Sequence, residues 1–327
     1  MKVCVFSTQK YDEQAFTQWS DPAIEWTFLS QKLDLASAHA ADGFEAICVF
    51  VNDTLDAPVL QLLKELGVRV IALRCAGFNN VDVPVASQLG FTVVRVPAYS
   101  PQAVAEHSVG LILCLDRKFH KAYNRTRDDN FDLNGLLGFN LHGKTVGIIG
   151  TGRIGTVAAK ILLGFGCRVL CVDPVTNPQV IDMGAEYVSL EELYPQADII
   201  SLYCPLTPDS VHLINQQSLA KMKDGVMLIN TSRGALVDTK AVIKALKSAK
   251  IGYLGLDVYE QEADLFFKDL SDQIISDEVF QRLLTFPNVL ITGHQAFFTV
   301  EAMEQISRIT SDNLMMLARG ETCPNAI

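Results

Sequence analysis

The stretch from Lys144 to Asp173, KTVGIIGTGRIGTVAAKILLGFGCRVLCVD, restricts what this chain can fold into more than any other. Val146 to Ile149 is a short apolar run of the kind buried in a parallel sheet, and Gly150, Gly152 and Gly155 follow it on the spacing G-x-G-x-x-G. The first glycine permits a tight turn off the strand, the second lets backbone approach a pyrophosphate, and the third lets a helix pack close to the sheet. Arg153 and Ile154 lie on the first helical turn, whose unpaired N–H groups face phosphate oxygens. Thr156 to Phe165 continue as a mostly apolar helix, and Gly166 ends it before a second strand, Arg168 to Val172. Asp173 closes the unit, eighteen residues past Gly155. An acid at that place accepts hydrogen bonds from a ribose diol and repels a 2'-phosphate, which favours NAD over NADP. The glycines alone would be weak, because the same spacing occurs in ordinary loops. With the strand before them, the helix after and the acid at the second strand end, they specify a dinucleotide-binding βαβ unit.

The rest of the chain is read around that unit. At 327 residues it is too long for one ordinary core and predicts two domains. A formal net charge of -10 leaves no surplus of positive charge for phosphate backbones or anionic lipid, so nucleic acid and membrane are not expected as main partners. No apolar run reaches the length of a membrane span, and MKVCVFST reads as a short strand rather than a signal peptide, so a cytoplasmic protein is expected. The eight cysteines form no C-x-x-C pair, and most sit inside apolar runs. They read as reduced core thiols, with neither a disulfide framework nor a metal site expected.

Strands and helices alternate from the start: Lys2 to Ser7, Ile24 to Leu29, Ala46 to Val51, a helix from Pro58 to Leu66, then Arg69 to Leu73 and Thr92 to Arg95. This predicts a small α/β layer structure with a parallel sheet, whose strands end in polar turns at Asn52 and Asp53 and at Arg74 to Asn80. In open α/β sheets ligands gather at such carboxyl ends, which makes RCAGFNNVD of interest: Gly77 can leave N–H groups facing a carboxylate, or it can serve only to turn the chain. VPAYSP, with Tyr99 between two prolines, reads as a stiff crossing between domains, followed by a helix from Ala103 to Arg117 on which His107 reads as a packing residue. Lys118 to Phe139 reads as polar surface structure. After Asp173, strands at Ala185 to Val188, Asp198 to Tyr203, Val226 to Asn230, Tyr253 to Asp257 and Val289 to Thr292 extend a doubly wound sheet, and the helix Thr299 to Arg319 should cross back to the first domain. The expected division is 1–99 with 299–327 for one discontinuous domain and 100–298 for the nucleotide domain.

Three strand ends of the larger domain carry ionisable groups: Arg233 in NTSRGALVD, Glu262 in DVYEQE and His294 in GHQAFFT. An Arg can clamp a carboxylate with two parallel hydrogen bonds while polarising a neighbouring carbonyl. A His can give or take one proton, and a Glu on its other nitrogen fixes its tautomer. Each residue alone is more often structural; together at one sheet edge beside a nicotinamide they make an acid-base set for a 2-oxo acid.

With RCAGFNNVD, VPAYSPQAVAEH, GTGRIG, NTSRGALVD, DVYEQE, GHQAFFT and the ending GETCPN, the chain resembles the D-isomer-specific 2-hydroxyacid dehydrogenases over its whole length, and within them the bacterial fermentative D-lactate branch. The resemblance implies two Rossmann-like parallel-sheet domains, a flavodoxin-like small one and a doubly wound NAD-binding one, with the active site in the cleft between them. It implies catalytic roles for Arg233, Glu262 and His294, substrate-carboxylate donors at Ala76 and Gly77, and a small pocket closed by Tyr99 and Phe297. Cys204, Pro205, Thr231, Ser232 and Asp257 would line the nicotinamide end; many relatives carry Val where this chain has Cys204. The implied reaction is reversible reduction of pyruvate to D-lactate by NADH, with His294 as proton donor and hinges near 97 to 101 and 296 to 300. A homo-oligomer, dimer or tetramer, joined through the nucleotide domains is implied as well. Phenylpyruvate, hydroxypyruvate or glyoxylate as the substrate, and an NAD-sensing interaction module, stay open beside it.

Overall fold

The computed structural model describes residues 1–262 and 265–327. The chain divides into two compact units, Met1–Ser100 with Phe298–Ile327, and Pro101–Phe297. Ser100 and Phe298 each fall one residue across the boundaries expected from sequence. Pro101 opens a helix, Pro101–Arg117, and the residue before a proline is kept out of the helical conformation. Phe298 sets its ring edge-on to Tyr11 of the first unit at 4.7 Å.

The first unit is built on β1 (Lys2–Val5), β2 (Glu25–Phe28), β3 (Ala46–Val49), β4 (Val70–Leu73) and β5 (Thr92–Arg95). They form one parallel sheet in the order β2-β1-β3-β4-β5, the flavodoxin-like winding. Alternate residues of the strands feed two cores. Cys4, Ile47, Val49, Ile71 and Leu73 face one, and Val3, Val5, Ala46, Cys48, Val70 and Ala72 face the other. On the second face the C-terminal helix Val300–Ala318 lies beside the helix Lys10–Trp19, contributing Leu314 next to Phe16, and Cys323 follows it. That burial ties the last segment to the unit and makes it discontinuous: the first hundred residues supply only one of the two helices on this face.

Local signals set the helix starts. Asp56 caps Ala57–Glu65 by accepting from Val59 N, and Thr299 caps the last helix by accepting from Ala302 N. Among the helices of nine residues or more, Lys10–Trp19 and Phe119–Arg127 were not expected from the sequence. The second lies inside the stretch read as polar surface structure; its Phe119, Ala122 and Tyr123 recur at helical spacing, yet it has no buried residue.

Arg74 is a correction to the sequence reading. Expected in a polar turn, it is buried at 2% exposure and donates through Nε to Asp12 Oδ1 at 3.3 Å, through Nη1 to Phe6 O and through Nη2 to Ser7 O. Its guanidinium lies over the Phe50 ring at 4.9 Å. Asp53, also buried, accepts from Ser7 Oγ, Leu33 N and Phe50 N. A buried charge is tolerated when it is paired and hydrogen-bonded, and this network locks the carboxyl ends of β1, β3 and β4 together.

The second unit carries β6 (Thr145–Ile149), β7 (Arg168–Val172), β8 (Glu186–Tyr187), β9 (Ile199–Leu202), β10 (Val226–Asn230), β11 (Ile251–Leu256) and β12 (Val289–Ile291). All pairs are parallel, in the order β12-β11-β10-β9-β6-β7-β8. The winding reverses between β6 and β9, and a crevice for ligand opens at the carboxyl ends of strands on either side of such a reversal. Here too neighbouring residues serve opposite cores: Leu228 one, Met227 and Ile229 the other. No described helix is long and apolar enough to cross a membrane.

Candidate active site

The glycine turn sits at the strand reversal. Gly150 has φ +99°, and a Cβ on it would stand 2.5 Å from the backbone N of Cys204, just past β9. A Cβ on Gly155 would stand 1.9 Å from Gly150 O, so the helix Arg153–Gly164 approaches the strand as only glycine allows. Gly152 faces open space, where a Cβ would meet nothing within 4 Å. It also begins the helix without a side-chain cap, leaving the first N–H groups to a ligand. Asp173 accepts Thr151 N at 2.7 Å and Val175 N at 3.0 Å, which holds its carboxylate against the turn. Asn177 and Tyr187 brace the same turn through Thr151, a support that the glycine spacing does not reveal.

The donor set fits NAD. The glycine cradle is open at Gly152, the acid stands at the end of β7, and Thr231 Oγ1 just past β10 is buried with no hydrogen-bond partner among the described residues. Such an orphaned hydroxyl needs a group that a bound ligand can provide. Ser232 Oγ donates to Cys204 O at 2.7 Å, which ties the segments after β9 and β10 together. Burial pushes the Cys204 thiol up to about 11. Pro205 follows on the exposed side.

His294 and Glu262 are brought into direct contact: His294 Nδ1 and Glu262 Oε1 are 2.8 Å apart, with the side chains 18% and 24% exposed. Glu262 is itself held, since its Oε2 accepts Tyr259 N at 2.9 Å. An ionised carboxylate only accepts, so Nδ1 carries the hydrogen of this bond and Nε2 is left for substrate. His294 takes a left-handed backbone conformation, φ +53°, that a non-glycine residue adopts only where its surroundings impose it.

Asp257 imposes it. This residue, with no exposure, accepts Gln295 N on Oδ1 and Ala296 N on Oδ2, both at 2.9 Å, and Thr292 Oγ1 at 2.5 Å, while its backbone oxygen accepts His294 N at 2.7 Å. His107, read from sequence as a packing residue, joins this network: its Nε2 is 3.0 Å from Thr292 Oγ1 and 3.4 Å from Asp257 Oδ1. The Thr292 hydroxyl has one hydrogen and spends it on the carboxylate, so His107 Nε2 is the donor to Thr292. The neighbouring AEH triplet at the start of a helix was the only signal in the sequence, and it does not specify the partners.

Arg233 reaches this region through backbone packing. Gly234 lies so close to the next segment that a Cβ would stand 2.1 Å from Tyr259 C. The guanidinium donates Nη1 to Ser232 O, and no described residue accepts from its Nε or Nη2. A guanidinium at a sheet edge with no acidic partner among the described residues keeps donors that can take a carboxylate. Phe297, 8% exposed, ends this unit.

In the first unit, Ala76 and Gly77 lie just past β4 and are half-buried, with Tyr99 likewise half-buried past β5. Among the described residues, no acceptor faces the N–H of Ala76 or Gly77, whereas both carbonyls are occupied. That leaves a pair of donors at a strand's carboxyl end.

Residues 109–296 match the family model described as D-isomer specific 2-hydroxyacid dehydrogenase, NAD binding domain. The chain is 53% identical to the D-lactate dehydrogenase of Escherichia coli strain K12, with 100% of both chains covered. Its fold is similar to the apo-structure of the Escherichia coli D-lactate dehydrogenase, with TM-score 0.92, 51% identity and full coverage of both. It is also similar to the NAD-complexed D-isomer specific 2-hydroxyacid dehydrogenase of Lactobacillus delbrueckii ssp. bulgaricus, with TM-score 0.83, 30% identity and full coverage of both chains. With this similarity along its whole length and the family's NAD-binding domain within it, the chain belongs to the D-isomer-specific 2-hydroxyacid dehydrogenases.

Proposed function

We propose that this protein is an NAD-dependent D-lactate dehydrogenase that reduces pyruvate reversibly. The observation that carries the reading is the His294–Glu262 pair, bonded at 2.8 Å and held by Asp257 at the edge of a sheet whose crevice fits NAD. NADH, when bound, supplies the hydride for the carbonyl carbon. His294 Nε2 gives its proton to the carbonyl oxygen as that oxygen gains charge, and takes it back in the oxidation of D-lactate. Glu262 keeps the ring oriented and complements the charge of its protonated form. Arg233 uses its spare donors on the carboxylate and carbonyl oxygen, a stabilisation of developing charge whose loss costs about 3 kcal/mol in the barrier. Ala76 and Gly77 give their N–H groups to the carboxylate, and Tyr99 and Phe297 limit the side chain to methyl size. Gly150, Gly152, Arg153, Ile154, Gly155 and Asp173 hold the dinucleotide, with Cys204, Pro205, Thr231, Ser232 and Asp257 at its nicotinamide end.

The test is NADH oxidation with pyruvate beside phenylpyruvate, hydroxypyruvate and glyoxylate, with chiral assay of the product. Fast turnover of pyruvate to the D-isomer is expected. A preference for a bulkier or hydroxylated acid would keep the mechanism and overturn the pocket size; NADH binding without turnover would overturn the enzyme. A homo-oligomer belongs to the same proposal. Phe131, Leu133 and Leu137 are exposed at 72%, 79% and 88% just beyond the helix Phe119–Arg127, which itself exposes Phe119 and Tyr123. Exposed apolar side chains in such number support an interface there, and light scattering would count the subunits. The cytoplasm is the proposed compartment, for which the eight free thiols speak.

A further inference from the structure

The segment just past β4 shows an ordered division of its peptide groups. Cys75 O accepts Val96 N at 3.2 Å, Ala76 O accepts Arg95 Nη1 at 2.8 Å, and Gly77 O accepts the Cys75 thiol at 3.2 Å. The carbonyls of Cys75, Ala76 and Gly77 are each engaged within the first unit, while the N–H groups of Ala76 and Gly77 meet no acceptor among the described residues. One of the three carbonyl bonds comes from a charged side chain. The Arg95 guanidinium also lies over the Phe78 ring, 5.1 Å from its centroid, so it is fixed on two sides by the loop it serves.

The peptide between Ala76 and Gly77 is trans, since the chain has no cis peptide bond among the described residues. In a trans peptide the C=O and the N–H point in opposite directions across a rigid plane. A guanidinium that captures Ala76 O therefore decides where the Gly77 N–H points. A cation on the carbonyl also draws electron density through the amide, which makes the N–H on the far side a stronger donor. The main chain of Arg95 bonds elsewhere. Its N donates to Asn325 O at 3.1 Å and its O accepts Asn313 Nδ2 at 2.9 Å, which ties in the C-terminal segment. Changing the side chain leaves those bonds in place.

We infer that Arg95 is a positioning residue for substrate recognition: it orients and polarises the Ala76–Gly77 peptide, and so sets the affinity for the carboxylate of the 2-oxo acid without touching the reacting carbonyl. The inference rests on the proposed donation by Ala76 and Gly77 to that carboxylate. A residue acting in this way changes substrate affinity and leaves the proton and hydride steps alone.

The experiment measures steady-state kinetics of the full-length enzyme carrying Arg95→Met and Arg95→Lys, with NADH affinity and thermal melting measured on each. Arg95→Met is expected to raise KM for pyruvate on the order of tenfold, with kcat changed by less than about threefold and NADH affinity unaltered. Arg95→Lys keeps a charged donor but loses the planar stack on Phe78, so an intermediate KM is expected, and it carries the test if the methionine variant does not fold. A wild-type KM in a folded Arg95→Met or Arg95→Lys enzyme overturns the role of Arg95, as does a loss of kcat equal to the rise in KM, which indicates a general structural effect. Gly77→Pro, which deletes the amide hydrogen, is run in parallel. If it leaves KM for pyruvate unchanged, the donor reading itself fails. If it raises KM while both Arg95 variants do not, only the inference about Arg95 fails.

Discussion

Asp257→Asn is the substitution from which the structure predicts most. The carboxylate takes Thr292 Oγ1 and Gln295 N on one oxygen and Ala296 N on the other. Asparagine keeps one acceptor oxygen. Placed on the Thr292 side, it leaves its NH2 facing the Ala296 N–H, donor to donor; flipped, it loses two partners instead. The smaller loss is one hydrogen bond to a charged acceptor together with a buried donor left unpaired, and the remaining two bonds weaken with the charge gone. That amounts to about 2–4 kcal/mol, since bonds to charged groups are worth ~1.5–3 kcal/mol each. For a unit of the size of Pro101–Phe297 the melting temperature should fall by roughly 5–15 °C. The catalytic effect follows from the same bonds, because Gln295 and Ala296 are the residues that hold His294 at φ +53°. With Ala296 N released and the bond from Gln295 N weakened, the imidazole is held less firmly against Glu262, and kcat should drop by up to about 10²-fold, the scale of a displaced general acid. Circular dichroism melts and steady-state turnover measure both. Thr292→Val, which removes the hydroxyl donor and the acceptor of His107 Nε2 but leaves both backbone bonds, should cost about 1.5–3 kcal/mol. A melting temperature within about a degree of wild type for Asp257→Asn, with kcat within about twofold, would refute the reasoning.

Gly155→Ala puts a Cβ 1.9 Å from Gly150 O, so the turn must open, and NADH affinity measured by fluorescence titration should fall by at least about 10-fold. His294→Gln should nearly abolish turnover while NADH binding survives; an equal loss of NADH affinity would remove His294 from the proton-donor role. The Cys204 thiol, raised by burial to about 11, should react slowly with iodoacetamide at neutral pH and faster as pH approaches that value, read by mass spectrometry at that residue. Burial works against the Asp198 carboxylate, but Lys223 Nζ at 2.7 Å and Thr145 N at 2.9 Å hold it below the usual carboxylate range. A lowered value in the folded state stabilises above the unfolded value and is lost as pH falls through the folded one. Denaturation midpoints of wild type and Asp198→Asn should therefore differ at neutral pH and converge below pH 3.8, and a constant gap would contradict the pairing.

Much of the second unit was legible because its signals are short-range. The strand Arg168–Val172 lies where the sequence placed it, and the helix after the glycines runs Arg153–Gly164, because apolar period and glycine spacing are properties of neighbouring residues. Arg233, Glu262 and His294 could be nominated for a similar reason: each follows an apolar strand, and the carboxyl ends of parallel strands share one edge of the sheet. The helix Phe119–Arg127 was missed because its short apolar row, Phe119, Ala122 and Tyr123, lies within a polar stretch and packs no buried face.

What the sequence determined by itself, then, is the dinucleotide turn, the alternation of strands with helices, and the chemical kinds of residue at the strand ends. Tertiary structure decided the partners. Arg74 and Asp12 are 62 positions apart, His107 and Thr292 are 185, and Arg95 and Ala76 are 19. Nothing local distinguishes a buried Arg from an exposed one, or a packing His from one bonded to the residue beside an aspartate. Those assignments depend on which strands become neighbours. That order is set when both faces of each sheet are buried, and only then do distant polar groups have to find one another or remain unsatisfied out of water.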